Sequence, residues 1–146
     1  MRMQVYALLA IMALTVAVAA GQAMDSLGTV PGLAVGVLGL ALIVGSGMWM
    51  LRKGRHTPWP EAEAALADGA AVALWKPGCS FCELLLRALA DDERVVWVNV
   101  WRDDDANQRV RELNDGAEYT PTVLVGDTVL RNPSAAAVRE ALASGT

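Results

Sequence analysis

Residues 71–90 read AVALWKPGCSFCELLLRALA, and this stretch decides the fold of the second part of the chain. The apolar run Ala71–Trp75 is typical of a buried strand. Residues 83–90 consist almost wholly of good helix formers and predict a helix. Cys79 and Cys82 are the only cysteines of the chain, and they form a C-x-x-C between the predicted strand and the predicted helix.

A cysteine at such a junction has a reason to be reactive. Its sulfur faces unpaired backbone N–H groups and the positive end of the helix dipole, which stabilise a thiolate over a thiol. The pKa of the first cysteine of a C-x-x-C can thereby fall from about 8.5 to roughly 3.5–7.5. The second cysteine, one turn further on, can attack the mixed disulfide that the first one forms. The motif therefore predicts a redox-active dithiol with Cys79 as the nucleophile and Cys82 as the resolving residue.

Other uses of two cysteines fit the sequence less well. A structural zinc site normally needs four ligands, and the one other soft candidate is His56, upstream of the motif. A structural disulfide between residues three apart closes too small a loop to stabilise much. A metal site shared between two chains stays open as an alternative.

The N-terminal part differs in composition from the rest. Arg2 and Asp25 are the only charged residues among residues 1–51. The uncharged stretches 5–24 and 26–51 contain 20 and 26 residues. As helices, both are long enough to cross the roughly 30 Å of hydrocarbon in a bilayer.

We therefore predict two domains. Residues 1–56 form a transmembrane anchor with a basic flank, and its spans lie at about 5–24 and 27–51. Residues 57–146 form a redox domain. The redox domain contains eight Lys/Arg and fifteen Asp/Glu, a net charge of −7. This acidic balance argues against nucleic acid as a partner.

Basic residues beside the spans predict the membrane topology. Arg52, Lys53 and Arg55 follow the second span, Arg2 precedes the first, and the short connection between the spans has no basic residue. The positive-inside rule places both termini, and the redox domain with them, in the cytoplasm. An alternative is that the first span is a signal peptide cleaved near residues 17–19, and the second span would then keep the same orientation.

Small residues in the second span indicate close helix packing. Gly28, Gly32 and Gly36 form two consecutive G-x-x-x-G steps. They suit either a seam between two copies of the chain or packing of the two spans on each other. Packing within one hairpin is the preferred interpretation because it costs no translational freedom.

The remaining pattern predicts further elements of the redox domain. Two more strands form a hairpin around Gly126 and Asp127, and Asn132 is expected to cap the last helix with Pro133 at its first position. The elements in chain order are strand 71–76, helix 79–90, strand 95–100, helix 104–113, strands 122–125 and 128–130, and the final helix. Trp75 and Trp97 are expected in the core. Asp103, Asp104 and Asp105 are expected to cap the start of the second of these helices.

Residues 71–143 resemble a glutaredoxin of the thioredoxin fold. Residues 75–82, WKPGCSFC, are similar to the family's active-site entry, in which a basic residue often stands three positions before the first cysteine. Residues 119–123, YTPTV, correspond to the family's Thr-Val-Pro segment, although the central valine is absent. Residues 126–135, GDTVLRNPSA, most resemble the mycoredoxin subgroup, whose members reduce mixed disulfides of mycothiol.

The resemblance implies an α/β fold, a thioredoxin/glutaredoxin-like four-stranded mixed sheet with flanking helices, here preceded by a transmembrane helical hairpin. It implies a cis peptide bond before Pro121, which would leave the backbone of Thr120 open to pair with a thiol cosubstrate. Lys76 would lower the pKa of Cys79 and attract a carboxylate of the bound thiol, and the alternative is that Lys76 is only the solvated end of a strand. The other residues expected to contact the thiol are Phe81, Asn132 and Ser134.

The expected function is that of a membrane-anchored thiol–disulfide oxidoreductase. Its partners would be a low-molecular-weight thiol, expected to be mycothiol, and a disulfide-containing protein that is itself associated with the membrane. No bound cofactor is expected. The alternative is a dimer that binds a [2Fe-2S] cluster through C-S-F-C, which visible absorption would reveal. Another alternative is an extracytoplasmic thioredoxin-like reductant, which needs the reverse topology.

Overall fold

A computed structural model describes residues 2–145, without the side chains of Arg2 and Gln4. Contacts divide the chain into two units, Met1–Arg52 and Lys53–Thr146. Two predictions fall outside this description: the one that uses the charged side chain of Arg2 for the topology, and the one that ends the second domain at Thr146.

The first unit consists of two helices. Helix α1 spans Arg2–Leu27 and helix α2 spans Thr29–Met50, with Gly28 between them at a φ of +100°. The segments Val5–Leu27 and Thr29–Met50 are long and apolar enough to cross a membrane. Both agree with the predicted spans to within three residues.

Several glycines of α2 face α1. A Cβ atom placed on Gly32 would collide with Met24, and one on Gly36 would lie 3.7 Å from the Cβ of Ala20. These two glycines therefore let the helices of one chain approach closely. The prediction of packing within one hairpin is confirmed for Gly32 and Gly36.

The second unit combines a sheet with helices on both faces. Its elements are α3 (Trp59–Ala67), β1 (Ala71–Trp75), α4 (Ser80–Ala88), β2 (Val95–Asn99), α5 (Asp104–Glu112), β3 (Thr122–Val125), β4 (Thr128–Arg131) and α6 (Ala135–Ser144). The strand order is β2-β1-β3-β4. Strands β1 and β2 are parallel, whereas β3 is antiparallel to both β1 and β4. The predicted four-stranded mixed sheet is confirmed.

Each face of the sheet has its own core, because successive side chains of a strand point to opposite faces. Trp75 and Trp97 lie on one face with residues of α4 and α6, such as Cys82 and Val138. Residues of α3 and α5, including Trp59, cover the other face. Both tryptophans that were expected in the core are buried.

Helix α6 begins two residues later than predicted. Ser134 is its N-cap, since the Oγ of Ser134 accepts a hydrogen bond from the N–H of Ala137 at 3.2 Å. Asn132 lies outside the helix with a φ of +48°, and its N–H donates to the carbonyl oxygen of Pro121 at 2.8 Å. The prediction that Asn132 caps the helix is therefore wrong, because its backbone is held by Pro121.

Residues 53–57 are held against the sheet of the second unit. The N–H of Thr57 donates to the carbonyl oxygen of Trp97 at 2.8 Å, and the indole N–H of Trp75 donates to the carbonyl oxygen of Arg55 at 2.9 Å. These bonds attach residues 53–57 to the second unit.

Candidate active site

Cys79 and Cys82 are joined in a disulfide, with their Cα atoms 5.2 Å apart. Cys79 is the N-cap of α4 and is partly exposed, whereas Cys82, in the first turn, is completely buried. An external disulfide can therefore approach the sulfur of Cys79 but not that of Cys82. The roles predicted for the two cysteines both require such a difference in exposure.

The start of α4 favours negative charge on Cys79. The N–H of Cys82 donates to the Sγ of Cys79 at 3.2 Å. The sulfur thus takes the place of the oxygen that usually caps a helix, at the positive end of the helix dipole. In the reduced protein this arrangement stabilises a Cys79 thiolate over the thiol.

The loop before β3 passes directly beside Cys79. The carbonyl oxygen of Thr120 lies 3.4 Å from the Sγ of Cys79, and the peptide bond between Thr120 and Pro121 is cis. Within residues 2–145, the buried Oγ1 of Thr120 has no hydrogen-bond partner. The structure thus brings Thr120 and Pro121, which are about 40 residues away in sequence, to the C-x-x-C.

The remaining predicted contact residues take different positions. Asn132 is linked to Pro121 by the backbone hydrogen bond already described, and it is exposed. The hydroxyl of Ser134 is engaged in capping α6. The side chain of Phe81, between the two cysteines, is 61% exposed and forms an apolar surface next to them.

Lys76 binds a carboxylate of the protein itself. Its Nζ lies 3.0 Å from the Oε1 of Glu118, whose side chain is only 2% exposed. The role predicted for Lys76, the attraction of a carboxylate of the bound thiol, therefore meets a competitor that is already in place.

Glu118 is the centre of a group of polar side chains, here called the Glu118 cluster, which consists of Glu118, Lys76, Trp101, Asn107 and Arg111. Trp101 Nε1 donates to Oε1 at 3.0 Å, and Asn107 Nδ2 and Arg111 Nη2 donate to Oε2 at 2.7 and 3.4 Å. Burial raises the pKa of Glu118, but hydrogen bonds from Asn107, Lys76 and Trp101 outweigh it. The pKa therefore lies below the ordinary value of 4.5.

The sequence contains no signal for the role of Glu118. It stands in a loop without a motif, and its partners come from three other segments of the chain. Trp101 lies just before α5, and Asn107 and Arg111 lie within α5. The cluster becomes visible only when these segments are brought together.

Among the described residues, no group of three His, Cys, Asp or Glu side chains is arranged to hold a metal ion. His56, the one other soft ligand considered, accepts a hydrogen bond at Nδ1 from the N–H of Asn99 at 3.4 Å. Burial and the nearby Arg102 lower the pKa of His56 below its ordinary value.

Comparisons of the chain with protein-family models, with curated proteins and with solved structures give no significant match. The function therefore has to be argued from the residues and their geometry.

Proposed function

We propose that the second unit is a thiol–disulfide oxidoreductase of the glutaredoxin type, with a thioredoxin-like fold. The observation that carries this proposal is the difference between the two cysteines at the start of α4. Cys79 is partly exposed and accepts an N–H from the helix, whereas Cys82 is buried behind it. This is the arrangement that an attacking and a resolving cysteine require.

The reaction begins with a mixed disulfide between a protein and a small thiol. The Cys79 thiolate attacks the sulfur of the small thiol, so that a bond from Cys79 to the small thiol forms and the protein leaves as a thiolate. A second small thiolate then attacks the Cys79-bound small thiol, which releases a small-molecule disulfide and restores the Cys79 thiolate. Alternatively, Cys82 attacks Cys79 and expels the small thiolate, and the product is the Cys79–Cys82 disulfide.

The two apolar helices support a membrane location for this activity. Helices α1 and α2 suit a hairpin anchor, and the basic residues Arg52, Lys53 and Arg55 follow directly after α2. By the positive-inside rule, these residues favour a cytoplasmic redox domain. The protein substrate would then be a disulfide-containing protein at or near the cytoplasmic membrane surface, and the small thiol would be the cytoplasmic one, mycothiol in the mycoredoxin interpretation.

The test compares two single variants with the wild type on one peptide that carries a mixed disulfide with a small thiol. Mycothiol and glutathione serve as reductants in parallel reactions. Cys79→Ser should reduce turnover to the uncatalysed rate because the remaining cysteine, Cys82, is buried. Cys82→Ser should retain turnover because a second small thiol can resolve the intermediate. Near wild-type turnover by Cys79→Ser would show that the assigned nucleophile is wrong.

A further inference from the structure

Lys76 is the only lysine among residues 57–146, and it stands three residues before Cys79. Glu118 stands two residues before Thr120, whose carbonyl oxygen is 3.4 Å from the Cys79 sulfur. The ion pair between Lys76 and Glu118 thus joins the two segments that meet at Cys79. Any small thiol bonded to Cys79 has to lie between or beside these segments.

A carboxylate of such a thiol gains little from Lys76. To bind the ammonium group of Lys76, the thiol carboxylate has to displace the Oε1 of Glu118. This oxygen lies 3.0 Å from the Nζ of Lys76, and the Glu118 side chain is nearly buried. Displacement leaves the buried Oε1 of Glu118 without its ion-pair partner, which costs at least as much as the new contact gains. Lys76 therefore offers a carboxylate no net attraction.

Arg111, the other cation of the Glu118 cluster, is also engaged. Its Nε donates to the Oδ1 of Asn107 at 2.9 Å, its Nη1 to the carbonyl oxygen of Gly116 at 3.2 Å, and its Nη2 to Glu118 at 3.4 Å. Residues 57–146 carry a net charge of −7, which repels a further anion at long range.

We propose that Glu118 is a specificity-determining residue: by holding Lys76 in an ion pair beside Cys79, it selects a thiol cosubstrate that has uncharged amide or hydroxyl groups near its sulfur over one that has a carboxylate there. This inference rests on the proposed function and adds to it the chemical class of the thiol. The affected step is the attack of the cosubstrate thiolate on the small thiol bonded to Cys79. That attack breaks the bond to Cys79, forms the small-molecule disulfide and leaves the electron pair on the Cys79 sulfur.

The test uses two thiols of the same length, 3-mercaptopropionate and 3-mercaptopropionamide, which differ by one charge. The full-length protein in detergent micelles reduces bis(2-hydroxyethyl) disulfide with each thiol. The kcat/KM for each thiol is divided by the uncatalysed rate constant of that thiol, and the carboxylate value divided by the amide value gives a preference ratio. A general loss of structure lowers both values and leaves this ratio unchanged.

We expect a ratio below one for the wild type. In Glu118→Gln the ratio should rise about tenfold, or about 1.4 kcal/mol, because Lys76 then faces a neutral amide, which a thiol carboxylate displaces more easily than it displaces the Glu118 carboxylate. The double variant Lys76→Gln/Glu118→Gln should return to the wild-type ratio, since the cation is then missing. Glu112→Gln is the matched control, because it removes the same charge from an exposed site on α5 and should not change the ratio.

Three results would overturn the specificity proposal. The first is a ratio in Glu118→Gln within twofold of the wild type, and the second is a raised ratio that persists in the double variant. The third is that added salt lowers the wild-type kcat/KM for the carboxylate thiol more than for the amide thiol, as an accessible cation would require. This measurement needs no variant, so it applies even if Glu118→Gln does not fold. If the wild type uses neither thiol, the proposed function itself fails, and the inference fails with it.

Discussion

Replacing Glu118 by glutamine should destabilise the second unit, because a glutamine satisfies only part of the Glu118 cluster. The amide oxygen can accept from Lys76 and Trp101, as Oε1 does now. The amide NH₂ group, however, would face the Nδ2 of Asn107 and the Nη2 of Arg111, which are donors themselves. Two hydrogen bonds become contacts between donors, and the ion pairs of both cations are lost.

The size of the effect follows from the burial of the partners. Removing one partner of a fully buried ion pair costs about 3–5 kcal/mol. The side chains of Lys76 and Arg111 are 23% and 41% exposed, so water compensates part of the loss. We expect Glu118→Gln to lower the free energy of unfolding by about 2–3 kcal/mol.

Urea unfolding of the full chain in detergent micelles, followed by tryptophan fluorescence, measures this difference. Glu112→Gln is again the control, since its carboxylate is 48% exposed and pairs with Arg109 at 3.3 Å. It should cost far less than Glu118→Gln, because water and salt screen an exposed pair.

The pH dependence gives a second check on the same variant. Because the folded-state pKa of Glu118 is lowered, its stabilisation is complete above the ordinary value of 4.5 and is lost as the pH falls through the folded-state pKa. The deficit of Glu118→Gln should therefore be full at pH 7 and shrink in acid. Equal losses for Glu118→Gln and Glu112→Gln at pH 7, or a deficit independent of pH, would refute the reasoning.

Three further predictions concern the packing, the cysteines and the topology. Gly54→Ala should lower the free energy of unfolding by about 1–3 kcal/mol more than Gly126→Ala. The two glycines have similar φ angles, +58° and +54°, but only a Cβ on Gly54 collides with Trp75. Equal losses in urea unfolding would contradict this. In the reduced protein, iodoacetamide should modify Cys79 much faster than the buried Cys82, as measured by peptide mass spectrometry, and equal rates would argue against the assigned nucleophile. In intact cells, a membrane-impermeant maleimide should label Cys79 only after permeabilisation, whereas rapid labelling without it would exclude a cytoplasmic redox domain.

Much of the fold could be predicted because its signals are local. The strand Ala71–Trp75 is a short apolar run, and the turn at Gly126 and Asp127 separates two β-branched segments. Both apolar helices are long enough to cross the hydrocarbon core of a bilayer. The start of α6 was predicted less well. Asn132 and Ser134 are both good capping residues, and only the bond from the Asn132 N–H to Pro121 decides between them.

The candidate site also combines residues that local sequence patterns predict with residues that they do not. The C-x-x-C and its place at a helix start could be read from residues three apart, whereas Thr120 and Pro121 were reached only through the resemblance to glutaredoxins. Lys76 was predicted as a cation for the cosubstrate, but its carboxylate partner, Glu118, is 42 residues away in sequence.

The sequence by itself determined the apolar hairpin, the order of strands and helices, and the position of the two cysteines, because periodicity and residue type act over a few residues. The tertiary structure alone decided which cysteine is accessible and which carboxylate binds Lys76. Burial and ion pairing depend on segments that are distant in the chain, and the free energy of a charge is set by the groups packed around it. No local pattern encodes those neighbours.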